Sequence, residues 1–135
     1  MAYWLVKTEP STYSFADLKR DRKTVWDGVS NPVAVRNLGA IRKGDTVVVY
    51  HTGDEKQAVG LASAKSDGYP DPKLDDPKRF VVDLAPDRPL PAPVTLAQVK
   101  ADAVLKASDL ARLPRLSVMP LSDTQFERLM ELAQA

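Results

Sequence analysis

Seven prolines fall between residues 70 and 93, at positions 70, 72, 77, 86, 89, 91 and 93. In a helix interior each would remove a hydrogen bond and clash with the preceding turn, at a cost of about 3 kcal/mol. The middle of this chain is therefore closed to helix. Its fold has to rest on short extended segments joined by turns.

The flanking sequence agrees. Residues 3–8 alternate and are rich in aromatic and β-branched types, which predicts a strand ending before Pro10. Thr46-Val47-Val48-Val49-Tyr50 is the strongest strand signal. The turn at 52–55 leads into a second strand, 57–64, so the two form a hairpin. Ala58, Gly60, Ala62 and Ala64 share one face of that strand, where another element can approach closely. Residues 66–78 read as an exposed loop, 79–84 as a strand, 86–93 as an extended connector and 116–121 as a short final strand.

Helices fit only at the connections. Ser14 with Asp17, Thr95 with Gln98 and Ser122 with Gln125 are spaced as capping boxes. Asn31 before Pro32 marks another helix start. Residues 108–113 can add a further turn of helix. Phe126, Leu129, Met130 and Ala133 give the last helix one apolar stripe. The expected class is α+β: a small, twisted, mostly antiparallel β-barrel with short helices at the connections and a C-terminal helix. At 135 residues, the chain is expected to form one domain over 1–135.

Composition excludes several kinds of chemistry. There is no cysteine, so disulfides, thiolate zinc sites and cysteine nucleophiles are ruled out. One histidine makes a histidine-based metal site a poor expectation, and no metal or other cofactor is expected. No apolar run is long enough for a membrane span, and no leader is evident, so a cytosolic location and a monomer are expected. The net charge is +1, from 19 basic and 18 acidic residues. Proteins that grip long duplexes through many phosphates carry a clear basic excess. Any nucleic-acid contact here should instead centre on a pocket. No phosphate-binding glycine loop or nucleophile elbow occurs.

Both tryptophans lie in segments that end in directional polar groups: Tyr3-Trp4-Leu5-Val6-Lys7-Thr8-Glu9-Pro10 and Val25-Trp26-Asp27-Gly28-Val29-Ser30-Asn31-Pro32. A ring beside such groups is the chemistry that grips a nucleobase, stacking on its faces and reading its edges. Trp4 alternates into the barrel and reads as structural. Trp26 is expected in a loop, as a core ring or a pocket wall, and its polar neighbours favour the wall. Alternation places Lys7 and Glu9 on one strand face and Thr8 on the other, so Lys7 and Thr8 should not converge without a bulge. Lys7 and Glu9 can form a surface pair. His51 reads as structural or as a pocket hydrogen-bonder. Arg115 reads as a salt-bridge partner or a phosphate contact.

These segments resemble the signatures of the EVE domain. Tyr3–Pro10 is similar to the family's opening and Trp26–Val29 to its second block. Arg36-Asn37, Gly44-Asp45, Tyr50–Gly53, Val59-Gly60, Tyr69–Pro72 and Arg115–Pro120 follow in the expected order. The resemblance implies a PUA-like fold, related to YTH and ASCH domains. It also implies a non-catalytic module that captures a flipped, modified base (modified cytosine or methyladenine) from DNA or RNA, in single-stranded or locally opened form. The implied pocket uses Lys7, Thr8, Trp26, Ser30 and Asn31; Glu9, Val29, His51, Arg115 and Ser117 complete the candidate set. Ser30 stands where many members carry Arg, and Pro32 where they carry an aromatic; without that Arg the resemblance does not carry a phosphate contact over to Ser30. The alternative is a small ASCH-like amidohydrolase acting on a modified nucleoside through Lys7, Thr8 and Glu9.

Overall fold

The computed structural model describes residues 1–134. Its elements run β1 (Tyr3–Thr8), α1 (Phe15–Asp21), β2 (Thr24–Trp26), α2 (Pro32–Ala40), β3 (Thr46–His51), β4 (Gln57–Ala64), β5 (Tyr69–Pro70) and β6 (Phe80–Thr95). Then come α3 (Leu96–Ala101), a 3-10 turn at Leu105–Ala107, α4 (Asp109–Arg112), β7 (Val118–Leu121) and α5 (Asp123–Ala133). The strands form one curled sheet in the order β2-β6-β4-β3-β1-β7, with β5 also on β6. All pairs are antiparallel except β1 with β3, so the expected barrel is a mixed, open half-barrel with edge strands β2 and β7.

All three capping boxes form as expected, at Ser14, Thr95 and Ser122. Asn31 caps α2, its Oδ1 accepting from Val33 N–H at 3.0 Å and Ala34 N–H at 3.1 Å. The core is mainly aliphatic, with Trp4, Phe15, Trp26 and Tyr50 among it, and includes Leu5, Val6, Val47, Val48, Leu61, Val82 and Leu84 from the sheet. Leu18 and Leu38 join it from α1 and α2. The small face of β4 works as anticipated. A Cβ on Gly60 would lie 2.5 Å from the Phe15 ring, so the missing side chain is what lets α1 pack down.

Three elements differ from expectation. β2 lies where a loop was expected and is only three residues long; it exists because Thr24, Val25 and Trp26 pair with Leu84, Asp83 and Val82. Tyr69–Pro70 forms a two-residue strand inside the expected loop. The proline-rich connector is strand throughout, continuing β6 to Thr95. Its prolines are tolerated because neighbours cover the second side of β6 only as far as Leu84, beyond which that side is an edge. Register shifts along the β4 pairing absorb the irregularity.

Candidate base-binding cavity

The curled sheet leaves a seam between β2 and β7, and the principal cavity, about 690 Å³, lies there. The C-terminal end of β1, the 9–13 turn, β2 and the 27–31 loop wall it, and Ser117 reaches it from just before β7. Helix α2 packs against both β6 and β7. Asn37 Nδ2 fastens it to the β7 edge by donating to the Val118 carbonyl at 2.8 Å.

The first wall is built by a tightly bonded turn. Pro10 ends β1, and Thr12 and Tyr13 N–H both donate to the Glu9 carbonyl at 2.9 Å. Thr8 Oγ1 donates to the Tyr13 carbonyl at 2.6 Å. Ser11 donates from its backbone N–H and from its hydroxyl to Glu9 Oε1, both at 2.9 Å. Those two bonds hold the Glu9 carboxyl below its ordinary pKa. Tyr13 is thereby aimed at Trp26: the rings meet edge to face, with centroids 6.2 Å apart and planes at 81°. The Tyr13 hydroxyl is anchored by Asp21 at 2.9 Å.

The second wall follows from the pairing of Trp26 with Val82 on the edge of the sheet. Trp26 is 8% exposed, so it serves both the core and the cavity. Gly28 turns the chain at φ +74°, a conformation glycine takes without strain. Arg79 Nη2 donates to the Val29 carbonyl at 3.1 Å and braces the loop from β6's N-terminal side.

Lys7, Thr8, Glu9, Trp26, Val29, Ser30, Asn31 and Ser117 all line the cavity. Lys7 and Thr8 thus share one space despite strand alternation. They lie where the chain leaves the sheet, and the cavity wraps around that end. The expected Lys7–Glu9 pair does not form. Lys7 Nζ donates to the Pro114 carbonyl at 3.0 Å and stands 5.7 Å above the Tyr50 ring. Burial lowers the Lys7 pKa.

Two of the candidate residues lie elsewhere. His51 is buried, accepting at Nε2 from Phe15 N–H at 3.0 Å. Its proton therefore sits on Nδ1, 2.9 Å from Glu55 Oε1. It pins the start of α1 to the end of β3. Arg115 borders a separate, smaller groove. Trp4 is structural as expected, its indole donating to Asp45 at 2.9 Å. Sequence reasoning missed Tyr13 and Asp27, which also line the cavity, and Arg79, which braces it. Asp27 was legible from its place beside Trp26. Tyr13 was not, because only the folded turn brings it there.

The EVE domain family model matches residues 2–132. Among curated proteins, mouse thymocyte nuclear protein 1 is 30% identical over 166 residues, spanning 98% of this chain and 74% of that protein. Among solved structures, Rpa0253 from Rhodopseudomonas palustris is 37% identical with a TM-score of 0.94, covering 99% of this chain and 94% of that one. Human THYN1 protein, solved in complex with 5-methylcytosine containing DNA, is 28% identical with a TM-score of 0.91 over 100% of this chain and 99% of that one. An ASCH structure from Zymomonas mobilis, at 12% identity and a TM-score of 0.60, shares the fold. The expected cytosolic location does not stand, since the matching mouse and rat relatives are named nuclear proteins. Lack of cysteine could not separate the two compartments, because thiols stay reduced in both. A match over almost the entire sequence, joined by the same fold in close relatives, places this chain in the EVE domain family.

Proposed function

We propose that this chain is a non-catalytic reader that captures one modified base, with methylcytosine in DNA as the leading ligand, in the cavity beside Trp26. The observation that carries this reading is a Trp26–Tyr13 aromatic corner opening onto a cavity of about 690 Å³ rimmed by directional polar groups. That volume lies in the range of small-ligand sites. The human relative solved with 5-methylcytosine DNA supports the choice of base.

In this reading the base stacks against Trp26. The Asp27 carboxylate has no ion-pair partner among the described residues and accepts from an exocyclic amine, as acidic side chains do from cytosine. The Asn31 oxygen is committed to capping α2, so its amide NH2 is the part left for a ligand. Stacking contributes about 1–3 kcal/mol, and extruding a base from a duplex costs a few kcal/mol. Single-stranded or locally opened strands therefore bind best. One buried methyl adds about 0.8 kcal/mol, roughly four-fold in affinity.

A hydrolase reading is disfavoured by how the three candidate groups are used. The Thr8 hydroxyl is given to Tyr13, the Lys7 ammonium to Pro114 and the Glu9 carboxylate to Ser11. None bonds to another, so the cavity lacks an assembled nucleophile and base. The test is titration with matched single strands carrying cytosine, 5-methylcytosine, adenine or N6-methyladenine. A preference of about four-fold or more for the 5-methylcytosine strand is expected. Equal affinity for all four strands overturns the proposal, as does turnover of an acylated cytidine.

A further inference from the structure

Beside the principal cavity lies a second groove of about 340 Å³, lined by Asn31, Val33, Leu113, Pro114, Arg115 and Leu116. It adjoins the first cavity at two points. Asn31 lines both, and Lys7, which lines the first, donates from Nζ to the carbonyl of Pro114, which lines the second. The two spaces thus share a ridge made of Asn31 and the Lys7–Pro114 contact.

The chemistry of the groove is specific. Its walls are mainly apolar, and Val33 at 41% and Leu113 at 44% exposure stand together in it as one apolar patch. Its rim is basic. Arg115 lines it and Lys7 reaches it through Pro114, and neither has an acidic partner among the described residues. The salt-bridge reading of Arg115 is therefore not what the fold builds. An apolar shelf edged by unneutralised cations complements a nucleotide, which offers a flat apolar face on one side and an anionic phosphate on the other.

We propose that this groove seats the nucleotide next to the captured one: its base or sugar lies on Val33, Leu113 and Leu116, and Arg115 meets the intervening phosphate. The inference rests on the base-capture reading and extends it from one nucleotide to two. A strand with one base in the principal cavity has to leave over the rim, and the Asn31 ridge leads directly onto the shelf. The seat also supplies an Arg near the site that Ser30 leaves uncharged. Phosphate contact would thus come from the loop before β7 instead of the loop before α2.

The test uses the full chain, a single strand carrying 5-methylcytosine, and the free nucleoside 5-methyl-2′-deoxycytidine. Val33→Ser and Arg115→Ala should each weaken the strand five- to thirty-fold and leave nucleoside affinity unchanged. Arg115→Ala should also lower the slope of log affinity against log salt by about one. In amide NMR spectra the strand should shift residues 113–117 as well as 26–31, and the nucleoside only the latter. Unchanged strand affinity and salt slope in both variants overturn the seat, while a loss of binding in Trp26→Phe shows base capture still standing. The converse result separates the two claims: if Val33→Ser and Arg115→Ala weaken the strand but Trp26→Phe does not, and the nucleoside shifts nothing, capture falls and the groove is a nucleic-acid contact of its own. Capture of an apolar basic-rim partner other than nucleic acid, with no strand binding at all, overturns both.

Discussion

The rings of Tyr13 and Trp26 meet edge to face at 81° with centroids 6.2 Å apart, although the two residues come from different walls of the cavity. Such contacts are worth about 0.5–1.5 kcal/mol beyond the area they bury. The pair fixes the orientation of the ring on which a base would stack. Replacing Tyr13 by Leu should therefore weaken 5-methylcytosine strands by about three- to ten-fold while leaving the fold intact, as calorimetric titration and circular dichroism can check.

Thr8 acts on that same contact from behind. Its hydroxyl donates to the Tyr13 carbonyl at 2.6 Å, closing the turn after β1. Thr8→Val removes the donor with little change in shape and should cost about 1 kcal/mol of stability. A melting curve reads that loss. If Thr8 were a nucleophile instead, the same variant would abolish turnover of an acylated nucleoside.

Arg79 reaches from the start of β6 to the Val29 carbonyl at 3.1 Å. Arg79→Ala should loosen the 27–31 loop, raising amide exchange at residues 29–31 and weakening ligand binding several-fold. The faster exchange should appear without ligand, which separates bracing from direct contact.

Asp45 gives the fold an acid-sensitive joint. Burial pushes its carboxyl pKa up, but bonds from the Ala2 and Arg42 N–H groups and the Trp4 indole, with the nearby N-terminal charge, outweigh this and leave it lowered. Asp102 is lowered chiefly by the Arg128 guanidinium at 2.7 Å. Groups with lowered values stabilise the fold above the ordinary carboxylate range, near pH 4, and that stability is lost as pH falls through the lowered values. Asp45→Asn should lower stability at neutral pH by about 1–3 kcal/mol and flatten the decline below about pH 4. Denaturant melts at several pH values test this.

The legible parts of the fold were those with local causes. Ser14, Asn31, Thr95 and Ser122 cap helices through neighbours two or three residues away, so spacing alone disclosed them. β2 has no such local cause, since three residues become a strand only because Leu84, Asp83 and Val82 lie beside them. β6 hid behind Pro86, Pro89, Pro91 and Pro93, which forbid helix but permit an edge strand. The same division runs through the cavity. Trp26 and its polar neighbours stand together in sequence, whereas Tyr13 arrives through a turn closed by Thr8, and Arg79 through a contact 50 residues away.

The central claim is that Trp26 is the stacking ring, and fluorine NMR of protein labelled with 5-fluorotryptophan addresses it most directly. The two tryptophans give two signals, assigned by Trp26→Phe, and Trp4 is an internal reference because it lies outside the cavity lining, with its indole held by Asp45. On titration with a 5-methylcytosine strand, the Trp26 signal should shift saturably and the Trp4 signal should hold still. Saturable binding with an unmoved Trp26 signal would contradict the account.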